Sequence, residues 1–448
     1  MFDKVLVANR GEIAVRIVRA LQELGVRSIM AYSEIDKDTL AVQLADESIC
    51  IGPAPATQSY LNIPAIVGSA LQRGAQAIHP GYGFLAENAA FARMVSENGL
   101  AFIGPSAQAI ERMGDKNVAR ETMKQIGVPT VPGSDGPLHN AEEALAYADT
   151  VGYPVVIKAS AGGGGRGMRE VYEPQMMAVA FAAAKAEALA AFGNDEVYLE
   201  KYVLRPRHIE IQVLADTHGN AIHLGERDCS IQRRHQKLLE ESPSPAVSSE
   251  LRQRMGQAAL AAVREVGYVN AGTVEFLLGQ DGNFYFMEMN TRIQVEHPIT
   301  ELVTATDLVK EQVRIAAGQP ISCLDRMCQE PQGHAIEFRI NAEDSEHGFL
   351  PSPGTISRLR LPGGPGVRVD THLYEGYTVP PTYDSLVAKL VVWGSDRAEA
   401  IARGKRALAE FKIDGIQTTI PFHRWVLEQN DFIAGEACTD FIGLHGLE

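Results

Sequence analysis

Cysteine is scarce in this chain. There are five in 448 residues (Cys50, Cys229, Cys323, Cys328 and Cys438), with neither metal-ligand spacing nor the pattern of a disulfide framework. This argues against a disulfide-stapled scaffold or a cysteine-ligated metal module, and it fits a reducing compartment. Cys229, inside ERDCSIQRRHQK, invites a reading as a nucleophile. Nothing beside it marks an activated thiolate, so a packed, inert thiol is expected. A long uncharged apolar run is also missing. The nearest candidate, MMAVAFAAAKAEALAAF, is interrupted by Lys185 and Glu187 and reads as an Ala-rich helix, short of a membrane span. The start, MFDKVLVANRGE, carries charges where a signal peptide needs an apolar core. Positive charge is not in excess either: 41 Lys and Arg face 56 Asp and Glu, a net charge of −15. That argues against broad binding to nucleic acid or an anionic membrane. No internal repeat or low-complexity tail is visible. The expectation is a cytoplasmic protein with no nucleic-acid or membrane partner.

With 45% hydrophobic and 22% charged residues, the composition is that of a globular chain able to bury large cores. KVLVA (4–8) reads as a short buried strand, followed by GEIAVRIVRALQELG with Ile13, Ile17, Leu21 and Leu24 at helical spacing and Gly25 as a stop. RSIMAYS, ESICIG, AQAIHPG and LAFIGPS follow as strands separated by helical segments, which predicts a parallel sheet with helices on its faces. This α/β unit is placed at 1–114, with a linker helix region at 115–130 that leads into the Pro/Gly-rich connector GVPTVPGSDGP. A small unit at 131–203 alternates helix, strand, glycine loop, strand, long helix and strand, as suits a mobile lid. From 204 to 448 the chain is strand-rich.

The stretch EFLLGQDGNFYFMEMNTRIQVE (275–296) holds the densest chemistry. It reads as two strands joined at Asp281-Gly282. A two-residue loop there sets Gln280 opposite Asn283 and, counting back, Glu275 opposite Glu288. Like charges facing each other across strands are unfavourable, so a cation is expected between them. While the second strand stays extended, Glu288, Asn290, Arg292, Gln294 and Glu296 share one face. That face looks like a metal site running into an anion site. The cation clusters Arg233, Arg234, His235, Lys237 and Lys201, Arg205, Arg207, His208 suit a small anion, with solvated surface as the plain alternative.

The loop ASAGGGGRGM (159–168) contains G-x-G-x-x-G at Gly162, Gly164 and Gly167. A dinucleotide fingerprint needs a helix next, and here MREVY, a second strand, follows. A P-loop needs Lys where Met168 stands. What remains is a hairpin with a glycine tip, able to lay backbone N–H groups against phosphates, with Lys158 in reach. Together with the carboxylates Glu275 and Glu288 and the amide of Asn290, this suggests a nucleotide with Mg²⁺ or Mn²⁺.

These features together resemble the ATP-grasp fold. VANRGEIAVRI near the start, HPGYGFLAEN (79–88), RDCSIQRRHQK (227–237), EMNTRIQVEHPITE (288–301) and RINAED (339–344) are similar to the biotin carboxylases, above all the free-standing subunits of bacterial acetyl-CoA carboxylases. The resemblance implies an ATP-grasp enzyme of mixed α/β and α+β class. It would have an N-terminal parallel α/β domain, a small mobile lid and a strand-rich C-terminal domain. It implies that ATP, bicarbonate and biotin on a carrier protein give carboxybiotin, ADP and phosphate through carboxyphosphate, in fatty acid synthesis. By position, Lys116 and Lys158 would contact phosphates under Gly164 and Gly165. Glu200, Lys201 and Val203 would hold the adenine, largely through backbone groups, with His208, Gln232 and His235 near the nucleotide. Glu275, Glu288 and Asn290 would hold the metal, and Lys237, Arg292, Gln294 and Val295 the bicarbonate. Glu296 would be the general base, Arg339 would steady the biotin enolate and Tyr82 would lie near the biotin.

A base beside bound bicarbonate makes it a nucleophile, and a guanidinium, always charged, suits an enolate. Val295 has the wrong parity for the shared face, so either its N–H makes the contact or the strand ends before Gln294 and the chain turns around the anion. Ala161 replaces a frequent glycine, and LLEESPSP (238–245) differs conservatively from the usual version. No biotin-attachment motif is present, so a biotin carboxyl carrier protein and carboxyltransferase subunits are the expected partners, and the family suggests a homodimer. The alternatives are a subunit serving propionyl-CoA or another acyl-CoA, another ATP-grasp ligase, and a silent nucleotide-binding protein. The last would be expected to lose Glu296, Lys237 or a metal ligand.

Overall fold

Short apolar runs too brief to be helices alternate with amphipathic helices over the first hundred residues, and they assemble a five-stranded sheet. The structure is a computed structural model and describes residues 1–134, 136–159, 168–192, 194–324 and 330–447. Strands β1 (Lys4–Val7), β2 (Arg27–Ser33), β3 (Glu47–Gly52), β4 (Ala77–His79) and β5 (Ala101–Phe102) lie in the order β3-β2-β1-β4-β5, and every pair is parallel. Helix α1 (Gly11–Glu23) buries Ile13, Ile17 and Leu21 against the Val5/Val7 face of β1, while Leu6, Ile29 and Ile78 build a second core on the other face. Gly25 follows the helix at φ +69, the left-handed conformation that lets the chain turn back into β2.

The chain forms two compact units, one of Met1–Ile126, Arg207–Phe276 and Glu288–Glu448, the other of Gly127–Pro206 and Leu277–Met287. In the second, β6 (Val155–Ala159), β7 (Met168–Val171) and β8 (Val197–Lys201) make a three-stranded antiparallel sheet with β6 central. Helices Ala141–Val151 and Met177–Phe192 cover it through Ala144, Ala148, Phe181, Ala184 and Ala188. Alanines at these contacts let the helices approach closely. β6 and β7 pair as a hairpin with Lys158 opposite Met168, so the glycine segment does join two strands. The glycines themselves, Gly164 and Gly165 included, lie outside the described residues, as does Cys328.

In a larger sheet, β9 (Arg207–Ala215), β10 (Ala221–Arg233), β11 (Gln236–Ser242), β12 (Asn270–Leu278), β13 (Phe284–Asn290) and β14 (His334–Asn341) join strands Leu386–Gly394 and Val367–Thr371. The order is β13-β12-β9-β10-β11-β14 and then those two strands. Register places charged residues side by side: Glu210 opposite Arg227, Glu240 opposite Glu337, Arg339 opposite Lys389, and Lys389 opposite Asp370.

Two expectations about the 275–296 stretch need correction. Gly279 N–H donates to Asn283 O (2.8 Å) and Gly282 N–H to Gly279 O (3.1 Å), with Gly282 at φ +76. This is a three-residue loop with a glycine bulge, not a two-residue loop closed by Gln280 and Asn283. The count that set Glu275 opposite Glu288 therefore shifts by one. The shared face also ends early. β13 stops at Asn290, the Thr291 N–H turns to Glu87 Oε1 (2.9 Å), and the chain bends into helix His297–Thr304 with Glu296 at its N-cap and Pro298 in its first turn. The chain turns before Gln294, the second of the two outcomes that the parity of Val295 allowed.

Candidate functional site

Strand β9 is buried along its whole length, yet His208, Glu210 and Gln212 occupy alternate positions on one face. Their opposite-face neighbours Ile209, Ile211 and Val213 pack as core. The polar face meets Arg227 of β10 and Lys237 of β11. Lys237 Nζ lies 2.5 Å from Glu210 Oε2, 2.7 Å from Glu296 Oε1 and 3.0 Å from Glu275 Oε1. Arg339 bridges Glu240 Oε1 (2.6 Å) and Glu296 Oε2 (2.8 Å). Arg227, fully buried, donates to Glu210, Gln212, Thr273, Gln294 and Thr300. Lys237, Glu296, Arg339, Gln294 and Glu275, chosen from sequence, thus converge on one cluster.

Charge balance inside the cluster fixes the ionisation states. Burial pushes the Glu296 carboxyl up, but the Lys237, Arg339 and Arg227 charges outweigh it and hold it well below the usual range. Glu275 is depressed in the same way: burial is overcome by Lys237 and His208. Lys237 is raised well above its ordinary value, because Glu210 and Glu296 more than offset its desolvation. Cys229, 3.9 Å from Glu296 Oε1, is buried and pushed well up by that burial, so its thiol stays protonated and inert.

The oxygen-rich end of the cluster lies at β12 and β13. Glu275 Oε1 accepts from Asn290 Nδ2 (2.8 Å) and Gln294 Nε2 (2.7 Å), and its Oε2 is 2.9 Å from His208 Nε2. The expected uncompensated repulsion is therefore absent at Glu275: protein cations and amides already surround it. Glu288 is partly exposed, with Lys116 Nζ 3.6 Å away, and Lys116 itself is 83% exposed. Both Glu275 oxygens are thus engaged by protein groups, Asn290 Oδ1 accepts from Arg292, and Glu288 is the most open of the three expected metal ligands. Glu210 lies near His208 and Glu275 as well, but both its oxygens are engaged by Arg227 and Lys237. Arg292 turns to Glu87 Oε2 (2.9 Å) and Asn290 Oδ1 (2.9 Å).

The remaining predicted residues are distributed as follows. Tyr82 donates from its hydroxyl to Glu12. The Val295 carbonyl accepts from Lys389 Nζ at 2.8 Å. Gln232 is half-buried at the end of β10, and His235 is exposed in the β10–β11 turn at φ +66. In the second unit, Lys158 Nζ pairs with Glu200 Oε2 at 2.6 Å. The Lys201 ammonium donates to Gly152 O and Tyr153 O (both 2.9 Å), and its backbone N–H to Pro132 O (2.7 Å). That N–H is therefore unavailable to a ligand; Val203 is half-exposed. Sequence reasoning did not single out Glu210, Arg227, Glu240, Glu87 or Lys389.

Comparison with known proteins places these residues in context. Residues 1–110 match "Biotin carboxylase, N-terminal domain", 115–324 match "Carbamoyl-phosphate synthase L chain, ATP binding domain" and 337–443 match "Biotin carboxylase C-terminal domain". The chain is 58% identical over 444 residues to a biotin carboxylase of Nostoc sp., covering 98% of each. The solved biotin carboxylase of Campylobacter jejuni, in complex with β,γ-ATP, superposes with a TM-score of 0.90 at 48% identity, covering 99% of each chain. The biotin carboxylase domain dimer of Hydrogenobacter thermophilus 2-oxoglutarate carboxylase, solved with MgADP, ADP and bicarbonate, gives 0.88 at 50% identity, covering 100% of this chain and 98% of that one.

Proposed function

The chain belongs to the biotin carboxylase family of ATP-dependent ligases, and from that premise we propose that it carboxylates biotin held on a separate carrier protein, consuming ATP and bicarbonate. The observation that carries this reading is Glu296, a buried carboxylate at the N-cap of helix His297–Thr304, kept ionised by Lys237 and Arg339. Bicarbonate entering beside Lys237, Arg292, Gln294 and the Val295 backbone would share the cations that now hold Glu296 down. The Glu296 carboxylate would then gain proton affinity as the anion arrives, as a general base needs. Deprotonated bicarbonate attacks the γ-phosphorus, ADP leaves, and carboxyphosphate forms. Its breakdown gives CO₂ and a phosphate able to deprotonate the biotin ureido nitrogen. Arg339, permanently charged, stabilises the enolate, and Tyr82 borders the biotin.

Glu275, Glu288 and Asn290 would hold Mg²⁺ (or Mn²⁺), which neutralises phosphate charge when bound. Lys116, Lys158, Gly164 and Gly165 serve the phosphates. Glu200, Lys201 and Val203 line the adenine, and His208, Gln232 and His235 complete the nucleotide contacts. We assign 1–114 to the N-terminal domain, 131–203 to the lid, joined by 115–130, and 204–448 to the remaining body. Among the described residues no helix is long and apolar enough to cross a membrane. Free thiols at Cys50 and Cys229 fit a cytoplasmic setting. Acetyl-CoA is the acceptor adopted for the complete enzyme, acting through carboxyltransferase subunits and a homodimeric carboxylase. Propionyl-CoA is the alternative.

ATP hydrolysis measured with bicarbonate, with and without free biotin or biotinylated carrier, tests this reading. Bicarbonate-dependent turnover stimulated by biotin is expected. Turnover indifferent to both overturns it.

A further inference from the structure

Strand Leu386–Gly394, LVAKLVVWG, is apolar but for one residue. Lys389 sits at its centre with 0% exposure. A buried ammonium is costly unless its charge and its donors are matched, and a leucine or methionine here would carry no such cost. The matching partners are specific. Lys389 Nζ donates to the carbonyl of Val295 at 2.8 Å and lies 3.1 Å from Glu12 Oε1. Glu12, also buried, accepts the Tyr82 hydroxyl on the same oxygen. In the sheet, Lys389 stands directly opposite Arg339.

We propose that Lys389 is a positioning residue for bicarbonate capture, one that fixes the plane of the Val295–Glu296 peptide. That peptide is outside any strand and only begins the helix His297–Thr304, so no ladder sets its orientation. A peptide is planar, so holding its carbonyl toward Lys389 aims the Glu296 N–H the opposite way and sets where the Glu296 side chain departs. Glu12 balances the charge that this requires. Because Glu12 also holds Tyr82, the phenol on the biotin side and the carbonyl on the bicarbonate side share one anchor. The inference rests on the reading of Val295 and Glu296 as bicarbonate-pocket residues.

The test compares wild type, Lys389→Met and the double variant Lys389→Met/Glu12→Gln, measuring KM for bicarbonate, KM for ATP and the unfolding midpoint. Removing one partner of a buried pair leaves the other uncompensated, whereas replacing both by neutral groups of similar shape is close to neutral for folding. The double variant should therefore recover the midpoint lost in the single one. Both should show a bicarbonate KM raised about 10- to 100-fold, as expected for one lost charge-assisted hydrogen bond, with KM for ATP little changed. Recovery of the bicarbonate KM together with the midpoint assigns Lys389 to stability alone and overturns the proposal. Failure of both variants to fold overturns it too. A wild-type chain without bicarbonate-dependent ATP turnover removes the functional reading itself, a result distinct from normal bicarbonate affinity in the variants.

Discussion

Glu296 concentrates the chemistry at the scale of a residue. It is buried, ionised and held from two sides by Lys237 and Arg339. In Glu296→Gln the amide keeps the shape but cannot accept the bicarbonate proton. Turnover should fall about 10²- to 10⁴-fold, the usual contribution of a positioned base, while KM for ATP stays within about twofold. Steady-state kinetics with both substrates decide it, and full turnover in the variant ends the role of Glu296 as base. Strand alternation singled out Glu275, Gln294 and Glu296 as one polar stretch, whereas the roles of Glu296, Lys237 and Arg339 came only from the family resemblance. Lys389 and Glu210 were not singled out, although each leaves a trace. One lysine interrupts LVAKLVVWG, and polar residues fall on every second position of RHIEIQVLA. Such a period ordinarily means a strand with one wet face. Burial of both faces, with Arg227 and Lys237 over the polar one, is a tertiary fact that no local pattern carries.

At the scale of elements, the parallel sheet followed from the alternation of short strands and helices, and it forms from the expected segments. Turns were harder. Asp281-Gly282 fits both a two-residue loop and a three-residue loop with a glycine bulge, and the choice rests on one extra residue that the dipeptide does not reveal. β13 ends at Asn290 because the Thr291 N–H finds Glu87, about two hundred residues away in sequence. The β10–β11 hairpin turns at Arg234 and His235, both at positive φ (48 and 66), between the opposed Arg233 and Gln236. Asn-Gly normally marks such a turn, so RRHQ gave no signal. Left-handed backbone at bulky residues is costly and is a feature of functional sites. Arg234→Asn with His235→Gly should therefore raise stability by about 1 kcal/mol, read as a higher unfolding midpoint, and the nucleotide contact proposed for His235 predicts a raised KM for ATP. A variant no more stable than wild type would show that the turn is unstrained.

The whole molecule buries carboxylates and imidazoles whose shifts oppose one another, and their sum sets the response to pH. Burial pushes Glu241, Asp370 and Glu301 up, but His334 and Arg397 hold Glu241 at about 2, Arg368 holds Asp370 at about 2, and Arg16 and Arg368 hold Glu301 lower still. Their contribution, with those of Glu275 and Glu296, is present above the ordinary values of 4.5 for the glutamates and 3.8 for Asp370 and is lost as pH falls. Burial lowers five imidazoles: His79 and His372 to about 3, His423 to about 4, His297 well below its ordinary 6.5, and His223 in the same direction. Below 6.5 the unfolded chain takes up protons that the folded chain does not, so stability again falls toward acid. Glu240 and Glu337 act in the other direction. They face each other across β11 and β14, and burial raises Glu240 to about 7 and Glu337 well above the ordinary range, with neither Glu337 oxygen hydrogen-bonded. Here the folded chain keeps protons that the unfolded chain has released, so stability declines as pH rises from 4.5 through 7. With these groups balanced, unfolding midpoints should peak between about pH 6 and 7. Glu337→Gln removes a carboxyl that must be neutral to stay buried, so the variant should match wild type near pH 5, where Glu337 is protonated in the fold, and exceed it at pH 8. Thermal unfolding across that range decides it: a variant destabilised equally at both ends would mean that Glu337 is ionised and partnered in the fold.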